Sequence, residues 1–265
     1  VNRSTDLPSS FRLDGRVAVV IGGTGALGSQ MAGALAGAGA RTVIVGRDQA
    51  KAEAALGRLR AGRGDVVFEP CDAASRMELC SLVGRVVASH GRIDILVNGA
   101  GTNSATRFLD ISDEEMERVI AVNQFAVMRA CQEFGRYFVE RAESSGDGAS
   151  IINVGSVSGL NPLSRVFTYS MTKAAVHNLT KNLAREWGHL GIRCNVLVPG
   201  FFPAEQNRAV VTRERREAIV GHTPLARFGN VDDLMGATLL LASEAGRFIT
   251  GAELVVDGGF STITI

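Results

Sequence analysis

Cysteine is scarce and scattered in this chain of 265 residues. Cys71, Cys80, Cys131 and Cys194 form no C-x-x-C pair and no zinc spacing, so their expected role is that of buried reduced thiols. His90, His177, His189 and His222 make no cluster with carboxylates along the sequence, and no metal is expected. No apolar run reaches the roughly 18 residues of a membrane span. Residues 1–10 are polar rather than a basic patch leading into an apolar stretch, and a cytoplasmic location is expected. Charge of one sign is lacking too. Lys and Arg number 28 against 27 Asp and Glu, a net charge of +1, with no basic stripe for nucleic acid or a membrane surface. There is no Pro/Ser-rich linker, repeat or low-complexity tract either. Residues 1–265 are therefore expected to form a single domain, behind a polar leader of about 14 residues.

What the chain has is 46% apolar residues against 21% charged ones, set out in short apolar runs that alternate with helical periodicities. Strands are read at 16–21, 41–45, 66–69, 93–97, 151–154, 192–198 and 252–256. Helices are read at 29–35, 50–59, 75–89, 112–143 and 231–243, and another runs on from Tyr169. Ser112 stands three before Glu115, a capping-box start. Met77, Leu79, Leu82, Val83 and Val86 take core spacing on the third helix, and residues 201–227 read as a long irregular insertion, a substrate lid. This alternation predicts an α/β fold: a Rossmann-like, doubly wound parallel sheet of about seven strands with helices on both faces.

The first strand stops at Gly22-Gly23-Thr24-Gly25-Ala26-Leu27-Gly28, and a helix follows. A G-x-G-x-x-G loop in that context lets the backbone approach a pyrophosphate and directs helix N–H groups at it. Gly22, Gly23, Thr24, Gly25, Leu27 and Gly28 are thus candidate dinucleotide contacts. Where an NAD-preferring fold ends its second strand on an acid for the ribose 2′-hydroxyl, this chain has Gly46 and Arg47. The arginine suits a 2′-phosphate and favours NADP(H) over NAD(H), with Asp48 as the alternative ribose partner. Tyr169, one of two tyrosines, and Lys173 share a helical face at i and i+4. Ser156 stands where strand 151–154 runs out, at the sheet edge where such folds bind ligands.

Together these features resemble the short-chain dehydrogenase/reductase family in its single-domain form, over nearly the whole chain. The resemblance is carried by the glycine loop, Asp72 after the third strand, Asn98-Gly99-Ala100-Gly101 after the fourth, and Asn123 in the long helix. It continues with Ser156 ahead of Tyr169-x-x-x-Lys173, with Pro199-Gly200, and with Val256-Asp257-Gly258-Gly259. Departures from the family pattern fall at Ile21, Ala26, Gly99 and Ala204. The resemblance implies an NAD(P)(H)-dependent oxidoreductase interconverting a secondary alcohol and a ketone, with Asn123, Ser156, Tyr169 and Lys173 as its catalytic tetrad. It places Asp72 at the adenine and adds cofactor contacts from Asn98, Ala100, Gly101, Pro199 and Gly200 as well as Tyr169 and Lys173. Phe201 and Phe202 are candidate walls for the nicotinamide.

In the implied chemistry Ser156 and Tyr169 donate hydrogen bonds to the carbonyl oxygen as charge develops there, and Tyr169 gives its proton. A free phenol has a pKa of about 10, too high for a base near neutrality. Lys173, together with the positive nicotinamide ring, is expected to lower it, and Lys173 to hold the nicotinamide ribose, while Asn123 holds a water. Three segments should meet the substrate: 102–107, 160–165 and the insertion from Phe201. Asn103, Asn207 and Arg208 join Ser156 and Tyr169 as candidate substrate contacts, because forked polar groups suit hydroxyls and a carboxylate. The run from Pro199 to Arg208 is similar to that of family enzymes acting on hexonic acids, the mannonate/fructuronate oxidoreductases, which points to a sugar acid or other polar polyol. The alternatives are a 3-oxoacyl-[acyl carrier protein] reductase, with Arg129 and Arg136 as a patch for its acidic partner, and a non-catalytic NAD(P)-binding regulator. Apolar stripes (Met116, Val119, Ile120, Phe125, Met128, Phe134 and Phe138, then Val176, Leu179, Leu183 and Trp187) exceed what one sheet face requires. A homodimer or homotetramer is expected.

Overall fold

The computed structural model describes residues 7–61, 64–202 and 212–262. Seven short runs rich in branched aliphatic residues form strands β1 (Val17–Ile21), β2 (Arg41–Gly46), β3 (Val66–Pro70), β4 (Ile95–Asn98), β5 (Ala149–Val154), β6 (Ile192–Pro199) and β7 (Glu253–Val256). All pair in parallel, in the order β3-β2-β1-β4-β5-β6-β7. β1, β4 and β5 are buried along their whole length, as parallel strands covered on both faces must be. The chain winds outward from β1 to β3 and restarts at β4 on the other side of β1. The register sets Ile21 opposite Asn98 and Asn98 opposite Asn153. The carboxyl ends of β1, β4 and β5 therefore open together at the point where the strand order reverses, which is where a doubly wound sheet takes its ligand.

The helices are α1 (Ala26–Gly37), α2 (Gln49–Ala61), α3 (Arg76–His90), α4 (Asp113–Ile120), α5 (Ala126–Ser145), α6 (Phe167–Trp187), α7 (Arg213–Gly221) and α8 (Met235–Ala242). Leu79, Leu82, Phe134, Phe138 and Val176 from α3, α5 and α6 pack against Val19, Leu96 and Ile151 on one face of the sheet. Met31, Leu35 and Leu241 from α1 and α8 pack against Val20, Ile44 and Val97 on the other. The alternation of Val19 and Val20 between the two clusters is the period-2 geometry of a strand. No helix among the described residues is long and apolar enough to cross a membrane.

Several expectations fail, each for a legible reason. Met77 is 76% exposed. It lies two positions before Leu79, roughly 200° round the helix from the buried stripe of Leu79, Leu82 and Val86. Cys80 is exposed because it follows that stripe by one position, whereas Cys71, Cys131 and Cys194 are buried. The end of the polar leader joins the core, since Leu13 is buried and its N–H donates to Ala38. The insertion is not wholly irregular: α7 lies within it, capped by Thr212, whose hydroxyl accepts from the Arg215 N–H. The single helix expected over 112–143 is two, α4 and α5, joined by a π-helical turn at Ala121–Phe125. Much of the apolar stripe assigned to self-association is consumed internally. Phe134 and Phe138 are wholly buried, and Trp187 packs on α5 at Gly135, where a Cβ would come within 2.5 Å of the indole.

Candidate active site

β5 ends at Val154, and Ser156 caps the short helical turn Val157–Gly159 that follows. Its Oγ accepts from the Ser158 N–H at 3.2 Å and from the Ser158 hydroxyl at 3.1 Å. With both lone pairs engaged, the Ser156 proton is left to donate outward. Tyr169 and Lys173 come from the first turns of α6, one turn apart. Burial raises the pKa of the Tyr169 phenol above its ordinary value, and a hydrogen bond from Ser156 opposes that rise. Lys173 is buried, its Nζ donating to the Val154 carbonyl at 2.7 Å and lying 5.6 Å from the centre of the Tyr169 ring. Burial brings the ammonium down to about 8. Desolvation dominates, and the group that favours phenolate is Ser156.

Asn123 is fully buried in the π-turn, where the Ala126 N–H reaches back to Ala121. Such single turns collect at functional sites because one extra residue re-aims a side chain. Here the Asn123 amide clamps the loop after β4. Its Oδ1 accepts from the Thr102 N–H at 2.8 Å, and its Nδ2 donates to the Thr102 carbonyl at 2.8 Å and to Thr172 Oγ1 at 3.2 Å. Side-chain capacity is therefore spent on positioning the 101–102 backbone beside Lys173, and a Cβ added at Gly101 would lie 3.8 Å from the lysine Nζ.

On the far side of the crevice the glycine loop is built close to the β4 loop. Gly22 sits at φ 78°, and a Cβ there would lie 2.6 Å from the Ala100 nitrogen; one at Gly28 would lie 2.2 Å from the Gly22 carbonyl oxygen. Unlike α3, α4 and α7, which begin under Ser75, Ser112 and Thr212, α1 begins at Gly25 with no side-chain cap and no acid in its first turn. Its open N–H groups fit a pyrophosphate. At the end of β2, Gly46 lies under Thr24, so a Cβ there would meet Thr24 Oγ1 at 2.8 Å. Arg47 follows, exposed, with Nη1 3.8 Å from Asp72 Oδ2. Asp48 caps α2, accepting from the Lys51 N–H at 3.0 Å. These residues fit a dinucleotide with its adenosine half at Arg47 and Asp72.

The other predicted contacts are placed as follows. Asn98 turns into the sheet, donating to Asn153 Oδ1 at 2.8 Å, and acts as a joint between β4 and β5. Phe202 is buried against Gly229, in the cluster beneath α8. Phe201 instead contacts the rings of Phe228 and Phe260. Asn103 Oδ1 accepts from the Ser104 N–H. Pro199 pairs with Val256 at the last position of the β6–β7 ladder, and the Gly200 N–H donates to Val256. Asn207 and Arg208 lie outside the described residues. Arg129 donates to the Ala74 carbonyl and stands over the Phe125 ring, and Arg136 lies 3.8 Å from Glu133, so the two do not form a free basic patch. Thr102, Ser158, Thr172 and His177 were not singled out. For His177 a signal existed: it extends the four-residue series of Tyr169 and Lys173 along α6.

A family model described as enoyl-(acyl carrier protein) reductase matches residues 23–261. The galactitol 2-dehydrogenase of Rhizobium johnstonii is 39% identical over 258 residues, covering 95% of this chain and 97% of the relative. The D-threitol dehydrogenase of Mycolicibacterium smegmatis is 33% identical over 251 residues, covering 95% of each. Among solved structures, a gluconate 5-dehydrogenase from Burkholderia cenocepacia in complex with NADP and tartrate superposes with a TM-score of 0.90 at 34% identity, covering 96% of this chain and 98% of that one.

Proposed function

Because the chain belongs to the short-chain dehydrogenase/reductase family and is an NAD(P)-dependent oxidoreductase, we propose that it interconverts a secondary alcohol and a ketone on a polyol or sugar acid, with Tyr169 as general acid/base and NADP(H) as the preferred cofactor. The observation that carries this reading is the meeting of Ser156, Tyr169 and Lys173 at the carboxyl end of β5, across from an uncapped α1. The dinucleotide supplies the hydride when bound. Ser156 and Tyr169 hold the carbonyl oxygen with two donors aimed where negative charge develops, so they bind the transition state more tightly than the ketone. Tyr169 then delivers its proton to that oxygen. Lys173, charged below pH about 8, holds positive potential beneath the site and would anchor the nicotinamide ribose. Asn123 keeps the 101–102 backbone in place beside it.

The substrate class is supported by the relatives, whose names specify galactitol, D-threitol and gluconate. NADP(H) is supported by the β2 end: Thr24 fills the space that an acid at position 46 would need, and Arg47 supplies the charge for a 2′-phosphate. Arg47→Ala is expected to raise the KM for NADPH by about tenfold or more, the worth of one charged hydrogen bond, and to leave the KM for NADH nearly unchanged. Equal effects on both would remove the role given to Arg47. A panel of keto sugar acids, fructuronate among them, ketoses and a 3-oxoacyl thioester, followed by absorbance loss of the reduced cofactor, tests the substrate class. Turnover of the thioester alone would replace the polyol reading with the acyl carrier protein one.

Self-association is proposed from the apolar residues left exposed on the π-turn, α5 and α6: Phe125, Met128, Phe167 and Met171, with Phe108 against Phe167 at 5.2 Å. Light scattering at micromolar concentration is expected to give a dimer or tetramer; a monomer would overturn this.

A further inference from the structure

Helix α6 carries Tyr169, Lys173, His177 and Lys181 at four-residue intervals, a stripe that runs from the crevice towards β7. The first two belong to the proposed chemistry. His177 has no part in it so far, yet it is a buried imidazole, 4% exposed, directly behind the serine turn. Its Nε2 accepts from the Ser156 N–H at 3.4 Å. Room for the ring comes from Gly155, where a Cβ would lie 2.2 Å from that nitrogen. Nδ1 lies 3.7 Å from Glu253 Oε2, and Lys181 binds the other oxygen of the same carboxylate. An imidazole that accepts at Nε2 carries its proton on Nδ1, which here faces Glu253.

We propose that His177 is a positioning residue for carbonyl reduction: its neutral Nε2 holds the Ser156 backbone so that Ser156 Oγ stays aimed at the carbonyl, and protonation of Nε2 releases that hold in acid. The inference rests on the role given to Ser156 above. A protonated ring would set N–H against N–H in a pocket shielded from water, where an unmatched polar contact is costly. The charged groups facing the ring are Glu253 from β7 and Lys173 and Lys181 from its own helix, while the serine turn and β6 face it with Gly155, Ser156 and Val196. Burial, the largest influence, brings the imidazole below its usual 6.5; Glu253 opposes this, and Lys173 and Lys181 reinforce it. The neutral, holding form therefore prevails through neutral pH, and the hold fails as pH falls through the lowered value.

The test compares kcat for the best ketone of the panel, at saturating cofactor and from roughly pH 5 to 8, in wild type, His177→Gln, His177→Leu and Glu253→Gln. Glutamine offers an acceptor that does not titrate. Wild type should lose kcat on an acid limb with an apparent pKa below 6.5. His177→Gln should keep the neutral kcat within about twofold and lose the limb, and His177→Leu should lose about tenfold in kcat with the cofactor KM unchanged, the mark of a misplaced catalytic group. Glu253→Gln should move the limb to lower pH. An acid limb that persists in His177→Gln, its absence in wild type, or full activity in His177→Leu overturns the proposal. Nitrogen NMR of the imidazole gives a second reading on the intact protein: Nδ1 protonated and Nε2 bare at neutral pH is expected, and the opposite tautomer overturns the proposal whatever the turnover. Failure of the oxidoreductase reading itself would appear separately, as wild type that consumes no reduced cofactor with any ketone of the panel.

Discussion

Tyr169→Phe is expected to lower carbonyl reduction by about four orders of magnitude while leaving cofactor affinity within about twofold. The substitution deletes one oxygen. With it goes the proton donor, worth roughly 10²–10⁴ in rate, and one of two hydrogen-bond donors to the developing oxyanion, worth a further 10²–10³ or so when the other donor stays in place. The two losses overlap because they act on one atom, hence an estimate below their product. The ring that stands beside Lys173 remains, so the crevice keeps its shape. Burial raises the phenol's pKa, which keeps it protonated through neutral pH. On the alkaline side reduction should therefore fall only where the phenol ionises, whereas oxidation of the alcohol, which needs phenolate, should rise with pH. Single-turnover rates with cofactor fluorescence titration measure both halves. Wild-type turnover with unchanged cofactor binding in the variant would remove Tyr169 from the chemistry.

Lys173→Met should separate activity from stability in opposite directions. Turnover is expected to drop by about two orders of magnitude or more, since the charge beneath the site and the ribose anchor are both lost. The cofactor-free protein should nevertheless become harder to unfold. A lysine brought from 10.5 to about 8 by folding carries its charge at a cost. Below the folded value it is charged in both the folded and unfolded states, and the full penalty of about 3 kcal/mol weighs against folding. As pH rises from the folded value towards the unfolded one, the native protein sheds the proton and the penalty fades. Methionine fills similar volume without charge but leaves the Val154 carbonyl without its donor, at about 1 kcal/mol. The net gain is about 2 kcal/mol, roughly 5 °C in Tm, greatest below pH about 8 and shrinking above it. Thermal unfolding at several pH values checks it; a loss of stability below the folded pKa, or a gain that grows with pH, would contradict the assignment of a buried ammonium.

The strands were legible because parallel strands buried on both faces are short continuous apolar runs, and the glycine loop was legible because the turn admits nothing larger at Gly22 and Gly28. Tyr169 and Lys173 showed in the sequence because helical spacing brings them together by itself. The inward turn of Asn98 was not legible: at the last position of β4 its side chain lies within the sheet and donates to Asn153, a residue 55 positions away. The burial of Phe202 was not legible because an aromatic beside a crevice serves equally well as a core residue, and Gly229, distant in sequence, makes room for its ring. His177 was missed because its partners, the Ser156 amide and Glu253, are distant in sequence and meet it only once β5, α6 and β7 have assembled. Nor could the sequence weigh desolvation against charge at Tyr169, since that depends on how much protein surrounds the hydroxyl.

The π-turn at Ala121–Phe125 also sets the phase of α5 relative to α4. An extra residue held in a single turn slips the register of everything downstream by about one position, roughly 100°. Counted without the slip, Met116 and Ile120 would share one face with Phe134 and Phe138. Counted with it, that alignment is broken by about 100°, while ordinary spacing within α5 sets the outward Met128 apart from the inward Phe134 and Phe138. The slip thus gears the two halves of the run independently. Deleting a single residue between 121 and 125 would restore an ordinary helix and turn α5 against the sheet, withdrawing Phe134 and Phe138 from the core at the same moment that it unclasps Asn123 from Thr102.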